Sequence, residues 1–396
     1  MSDHLYTIDA FFAGVGGIEL GFEQTNSFKT IYANEFDKYA RETYKINYPD
    51  TPLDGRDIHE VKSNEIPKSD LIVGGFPCQA FSIAGYRKGF DDDRGDLFFE
   101  LLKMIKANKP RVVFIENVKN LVSHDNGNTF KVISEALVTN GYSIKWKVLN
   151  SKEFGNIPQN RERIYVVAFR YQNDFEKFEF PGKIKLTTKL SDLIDFDNEK
   201  EEVYYYRKNK QPFYEELAKE VTSTNYIYQW RRQYVRKNMS GVVPTLTANM
   251  GTGGHNVPII LTNDGQIRKL TPKETFNVQG YPAKFKLAKL SNGRLYKQAG
   301  NSVVVPVIKR IAENIANAMK NNDDQLDIDV NKKYALLYTS IFGKMEGQSR
   351  VFASANNKEE LMNKAENSGL KIISDKEYLK LIQKKKHEVF LMFKEI

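Results

Sequence analysis

DLIVGGFPCQAFSIAG, residues Asp70 to Gly85, begins as a buried strand. Leu71, Ile72 and Val73 form a short apolar run that Gly74 and Gly75 stop. Phe76, Pro77, Cys78 and Gln79 follow, and Cys78 is the only cysteine among 396 residues. A thiol at the carboxyl end of a buried strand lies where open α/β sheets place their ligands. Pro77 fixes its own φ and biases Phe76 towards an extended backbone, so the exit direction of the thiol is held. Such a thiol is a candidate nucleophile. The same residue also reads as a small core hydrophobe, because free cysteine is often buried.

Length and composition set bounds on the rest. A chain of 396 residues buries a good core and suggests about two or three domains. Its 41% hydrophobic and 28% charged content is ordinary for a soluble globular protein. One cysteine excludes an internal disulfide framework and suits a reducing cytosol. No run approaches the ~18–20 apolar residues of a membrane span, and the amino terminus lacks a signal-peptide pattern. A cytoplasmic location is therefore expected. The net charge of +9 hints at a polyanionic partner without establishing one.

Upstream, TIDAFFAGVGGIELG (Thr7–Gly21) is an apolar strand, a turn with Gly14, Gly16 and Gly17, and a helix from Ile18. That is the nucleotide-binding corner of a doubly wound fold, although a plain strand-to-helix turn reads the same way. The strand Ile31–Phe36 ends in Glu35, placed to take ribose hydroxyls or simply to start the helix Lys38–Asn47. Asp57 and Ile58 follow a third edge. Asp57 can accept from an adenine amine, or it can cap a helix.

Downstream, the polar stretch Ala80–Asp96 has the length of a lid and sits beside the thiol. A helix over Leu97–Ala107 precedes the strand Arg111–Val118, which carries Glu116 near its tip. In a parallel sheet the tips bearing Cys78 and Glu116 come together. A helix over Thr129–Asn140 and a strand over Tyr142–Leu149 follow. In QNRERIYVVAF (Gln159–Phe169), Arg161 and Arg163 point the same way if the chain is extended, as a functional pair or as a surface ion-pair patch.

The strand–helix alternation stops near Arg170. Within Asn225–Lys237 the aromatics Tyr226, Tyr228, Trp230 and Tyr234 interleave with Arg231, Arg232, Arg236 and Lys237. Basic groups neutralise phosphates and aromatics stack on bases. Aromatics of an amphipathic core element would be spaced likewise, and the two readings stand level. Thr271, Pro272 and Glu274 spell a capping box with proline at the first helical position. An amphipathic helix near Val303–Met319 can pack back on the first lobe. Asn321–Asp329 reads as a linker, and Lys332–Ile396 as a small lysine-rich α+β module with strands near Tyr334–Ser340 and Val389–Phe393, without visible chemistry.

Taken in order, these segments resemble the DNA cytosine-C5 methyltransferase family, of the bacterial restriction–modification type. DAFFAGVGG resembles its S-adenosylmethionine loop, with Ala10-Phe11 before Phe12 as a small departure. GGFPCQAFSIAG resembles its Pro-Cys motif, ENV its Glu motif, and QNRERIYVVAF its Gln-x-Arg-x-Arg strand. RKLTPKETFNVQGYP and QAGNSVVVPV resemble its two late motifs. Six motifs in order over about residues 5–320 are highly specific.

The resemblance implies a doubly wound, Rossmann-like catalytic lobe to about residue 170, completed by about residues 290–325. It implies a smaller, irregular DNA-recognition lobe over 171–289, and it leaves 330–396 as an α+β extension of unknown role. It implies S-adenosyl-L-methionine as cofactor and S-adenosyl-L-homocysteine as product. Cys78 would attack cytosine C6. Glu116 would contact N3 and the exocyclic amine and supply a proton, and Arg163 with Arg161 would hold O2. Phe12, Gly14, Gly16, Gly17 and Ile18 would surround the methionine part of the cofactor. Glu35 would take the ribose, Phe36 and Ile58 the adenine faces, Asp57 its amine, and Pro77, Leu97, Asn301 and Ser302 the rest. Gln79, Ser82, Thr245 and Leu246 would meet DNA, as would Arg231 and Arg232. The expected partners are double-stranded DNA, from which the base is flipped out, and a cognate restriction endonuclease. The protein is expected to be monomeric, with no membrane partner. The rivals are a tRNA cytosine-C5 methyltransferase, a catalytically silent DNA-binding regulator and a dinucleotide-dependent oxidoreductase.

Overall fold

The structure is a computed structural model that describes residues 5–77, 97–251, 256–320, 332–383 and 387–395. Cys78, Gln79, Ser82 and the expected lid lie outside the described residues. The first lobe contains β1 (Tyr6–Phe11), α1 (Gly17–Glu23), β2 (Phe28–Asn34), α2 (Lys38–Asn47), β3 (Leu53–Asp54) and β4 (Leu71–Gly74). It continues through α3 (Leu97–Asn108), β5 (Val112–Val118), α4 (Asn128–Thr139), β6 (Ser143–Asn150), α5 (Ser151–Phe154), β7 (Gln159–Asn160) and β8 (Glu162–Phe169). α6 (Gln172–Lys177) packs back on β6 and β8 of the first lobe, and the second lobe holds α7 (Tyr214–Glu220), β9 (Ile227–Trp230), β10 (Val235–Asn238), β11 (Val243–Pro244), β12 (Ile259–Leu261), β13 (Ile267–Lys269) and α8 (Pro272–Asn277). Then come α9 (Asn292–Asn301), α10 (Val305–Ala318), β14 (Tyr334–Phe342), β15 (Glu346–Ala355), α11 (Lys358–Ser368), α12 (Asp375–Leu381) and β16 (His387–Glu395). No helix among the described residues is long and apolar enough to cross a membrane.

The main sheet runs β3-β2-β1-β4-β5-β8-β6-β15-β14-β16. Strands β3 to β5 are mutually parallel, and β8 is antiparallel to both β5 and β6. Along β5, Val112 and Phe114 enter one core while Val113 and Ile115 enter the other, the period of two that a sheet covered on both faces demands. The expected doubly wound α/β sheet is therefore present. Its strand order reverses between β1 and β4, the switch point at which such sheets bind ligands. The apolar stripe of α10, including Ile308, Ile311 and Ile315, packs on α1 beneath this point.

The second lobe is built on the four-stranded sheet β10-β9-β12-β13. The Thr271–Glu274 capping box forms as read, and Arg268, wholly buried, pairs with Glu274 at 2.8 Å. Tyr228 and Trp230 are buried, and Trp230 stacks on Phe213 at 4.5 Å. These two aromatics are core, whereas Arg231, Arg232 and Arg236 stay exposed. A two-strand ladder, β7 with β11, ties the lobes together.

The extension after residue 332 joins the main sheet, through β15 pairing with β6 at Glu346–Lys147 to Ser349–Ile144. Leu337, Ile341, Phe390 and Met392 share one core with Phe130 and Ile133 of α4. Lys131 and Glu135 of α4 interleave with Lys394 and Asp375 at 2.8–3.1 Å. Leu337→Ala is accordingly expected to cost about 2–5 kcal/mol. Calorimetry should show it lowering the single melting transition of the catalytic lobe. A separate transition for the extension, with the main one unmoved, is the contrary result.

Candidate active site

A cleft of about 430 Å³ opens at the switch point. Its floor is the turn after β1. Phe12 (φ 55°), Gly14 (φ 58°) and Gly16 (φ 83°) are all left-handed, a strained run that needs glycine at two of its three places. The Gly16 amide donates to the Ala13 carbonyl at 2.8 Å. The Tyr48 hydroxyl donates to the Gly16 carbonyl at 2.6 Å, and the Tyr48 ring fills the space a Gly16 Cβ would need.

Glu35 is fixed by two backbone donors, Gly14 N at 2.7 Å and Asp37 N at 2.6 Å. Burial pushes its carboxyl up, and those two bonds oppose the push. Phe36 leaves 67% of its surface exposed at the cleft wall, an open aromatic face for a flat ring. Asp57 serves both readings: it caps the turn Ile58–Glu60 by accepting from His59 N at 3.0 Å, and it lines the cleft.

Among the residues expected to hold the cofactor, Phe12, Gly14, Gly17, Ile18, Glu35, Phe36, Asp57, Ile58, Pro77, Leu97, Asn301 and Ser302 line this one cleft. Gly16 does not. It shapes the turn from behind, against Tyr48. A concave site with an aromatic wall, a fixed carboxylate and a left-handed glycine turn fits an adenosyl ligand in shape and chemistry.

The opposite end of the cleft carries Glu116. Gly75 in the segment after β4 sits beside it: a Cβ there would lie 3.5 Å from Glu116 Oε2. Asn117 Nδ2 donates to the Phe76 carbonyl at 2.8 Å, so the β5 tip holds the backbone two residues before Cys78. Glu116 is 8% exposed, and its Oε1 accepts no hydrogen bond, although Arg163 Nε stands 3.2 Å away. Burial pushes the Glu116 carboxyl up, and the charges of Arg163 and Arg161 offset only part of it.

Arg161 departs from the expectation of a pair. It is buried and donates to the carbonyls of Leu246 (2.8 Å), Gly300 (3.3 Å) and Ser302. Burial and the neighbouring Arg163 charge pull it down to about 9, so it stays a cation at neutral pH. Its side chain stitches the two lobes at the cleft, while Arg163 alone faces Glu116.

A second concavity, about 480 Å³, is lined by Asn160, Gln229, Arg231, Arg236, Lys237, Thr245 and Asn256 among others. Arg231 Nη1 donates to Asn256 Oδ1 at 2.9 Å, and Thr245 Oγ1 to the Asn160 carbonyl at 2.6 Å. Arg232 is exposed with φ 70° but does not line this surface. Leu246 is 1% exposed and packs in the second lobe's core, so its side chain does not meet a ligand there; its carbonyl holds Arg161 instead. Two residues of the site carried weak sequence signals. Asn117 lay unremarked inside the ENV motif, and Tyr48 reaches the glycine turn only through tertiary packing.

The profile of the family described as C-5 cytosine-specific DNA methylase matches residues 6–317. Type II methyltransferase M.Bsp6I of Bacillus sp. (strain RFL6) is 58% identical over 313 residues, 79% of this chain and 99% of that one. Type II methyltransferase M.HhaI of Haemophilus parahaemolyticus is 41% identical over 319 residues, 78% and 93% of the two chains. The Dnmt2 methyltransferase of S. pombe has a similar fold, with a TM-score of 0.62 at 18% identity over 80% of this chain and 100% of that one. The chain belongs to the C-5 cytosine-specific DNA methylase family and is a DNA cytosine-C5 methyltransferase of the bacterial restriction–modification type.

Proposed function

We propose that this enzyme methylates C5 of a cytosine swung out of a specific duplex DNA sequence, through a bond from the Cys78 sulfur to C6, with S-adenosylmethionine as donor. The observation that carries the reading is at the end of the cleft. A buried carboxyl with an oxygen accepting no hydrogen bond stands against Arg163 and beside the backbone that leads to Cys78. When bound, the donor supplies a methyl group on a sulfonium and leaves as S-adenosylhomocysteine.

Cytosine C5 is a poor nucleophile. Addition of the Cys78 thiolate to C6 makes C5 enamine-like, and the C5–methyl bond then forms as the sulfonium C–S bond breaks. Loss of the C5 proton to solvent water and departure of the thiolate restore the ring, and N3 returns its proton to Glu116. Glu116, whose carboxyl burial pushes up, donates a proton to N3 as C6 is attacked and accepts from the exocyclic amine. Arg163 orients that carboxyl and would hold the base O2. Arg161 holds the lobes in register around the cleft. Duplex DNA would lie between the lobes, against the basic concavity bearing Arg231 and Thr245, and Gln79 and Ser82 are assigned to it as further contacts. We further propose a monomeric enzyme working in the cytoplasm beside the nucleoid, paired with a restriction endonuclease that reads the same site.

Bisulfite sequencing of DNA from cells expressing the protein tests this. Protected cytosines are expected at one position of one short recurring sequence. Purified enzyme that labels tRNA and leaves duplex DNA unlabelled would point to the rival substrate.

A further inference from the structure

α1 starts beneath the glycine turn and carries a carboxyl group that the reaction above does not use. Glu19 is 1% exposed, and its Oε1 accepts no hydrogen bond; the nearby Tyr44 hydroxyl is likewise without a partner. The titratable groups that face it are Glu23 on its own helix, Glu35 after β2, Tyr44 of α2, Tyr48 just after α2, and Tyr281 beyond α8. No cation among the described residues forms an ion pair with it. Of these only Glu35 lines the cleft; the tyrosines pack behind the glycine turn. The Tyr44 and Tyr48 rings lie 4.6 Å apart, Tyr48 holds the Gly16 carbonyl, and the Tyr281 hydroxyl bonds the Ser302 hydroxyl.

A lone buried carboxylate between two other acids is costly, and such a group stays neutral instead. Burial pushes Glu19 up to about 8. In the neutral form it has one O–H to give and an oxygen to accept, which suits the Tyr44 hydroxyl.

We propose that protonated Glu19 is a positioning residue for the methyl donor: it bonds Tyr44, steadies Tyr48 through the paired rings, and so keeps the Gly14–Gly17 turn in its receiving shape. The proposal rests on the reading of this cleft as the donor site. Ionisation would set a buried negative charge beside the carboxyl groups of Glu23 and Glu35 and loosen the turn. The sign follows: donor affinity is full below the Glu19 pKa and is lost as pH rises through about 8.

The test is calorimetric titration of the full chain with S-adenosylhomocysteine at pH 7.0 and 9.3, for wild type and Glu19→Gln. The amino group of the ligand, ordinarily near ~8, titrates in the same window but equally for both proteins. Wild type is expected to lose more affinity over the interval than Glu19→Gln, by several-fold up to the roughly twentyfold ceiling that linkage to one proton with a pKa near 8 sets. In steady-state methylation the same excess should appear in the KM for the donor and not in kcat. Identical pH profiles for the two proteins overturn the proposal. Tyr44→Phe keeps the ring, and it is expected to weaken binding several-fold at pH 7.0; unchanged binding breaks the Glu19–Tyr44 link. If wild type binds no S-adenosylhomocysteine at either pH, the donor-site reading itself fails.

Discussion

Cys78→Ala is expected to abolish methyl transfer while DNA and S-adenosylhomocysteine still bind within a few-fold of wild type. Without the sulfur, C5 keeps the weak nucleophilicity of a neutral pyrimidine, and no other cysteine exists to take over. Removal of a covalent nucleophile typically costs a factor on the order of 10⁵–10⁶ in kcat. Binding should survive because the glycine turn, Glu35 and Phe36 lie on other elements and are held by their own partners. A duplex with 5-fluorocytosine at the target position separates attack from transfer. Fluorine cannot leave as the C5 proton does, so the wild-type enzyme should stay bound to that base after transfer, as a band that survives denaturation. Cys78→Ala should give no such band. Methyl transfer by the alanine variant, or a trapped adduct on it, would overturn the assignment of Cys78.

Local signals were legible in the sequence, and long-range ones were not. The run Leu71–Val73, the Thr271 capping box and the strand carrying Glu116 near its tip appear as read, because each rests on near neighbours in the chain. The doubly wound sheet followed from strand–helix alternation, which constrains topology strongly. Arg161 shows where this stops. Two arginines two apart on a strand suggested a shared task, yet one bonds carbonyls from residues 246, 300 and 302, which no local pattern reports. Leu246 failed for the same reason: a motif match does not say which way a side chain packs. The aromatics near Trp230 were balanced between ligand stacking and core, and burial in the second lobe settled Tyr228 and Trp230 as core. The extension was read as a module with strands. That those strands continue the catalytic sheet depends on the open edge of β6, nearly 200 residues earlier.

Glu116→Gln should be the second most damaging change, and it separates two roles that one carboxyl combines. Glutamine can still offer a donor and an acceptor to the flipped base, so affinity for DNA should change little. It cannot release a proton as C6 is attacked, and loss of a general acid lowers kcat by about 10²–10⁴, or roughly 3–5 kcal/mol. The pH profile carries the sharper signature. The wild type needs a thiolate at Cys78, so its rate climbs with pH. It also needs a protonated Glu116, so its rate declines once pH passes a carboxyl pKa that burial has raised. The product is a bell, and in Glu116→Gln the alkaline decline should vanish while the acidic rise remains. Stability should move the other way. A carboxyl whose folded pKa exceeds its unfolded value stabilises fully below the unfolded value and loses that contribution as pH rises through the folded one. As pH rises the wild type therefore bears a growing cost of a buried negative charge, which Arg163 at 3.2 Å offsets incompletely. The neutral glutamine removes that cost, so thermal melts at pH 8 should place the variant above wild type, with the gap shrinking towards pH 5. A variant that is slower yet more stable marks a group kept for chemistry. One that is both slower and less stable would mean that Glu116 mainly braces the sheet edge.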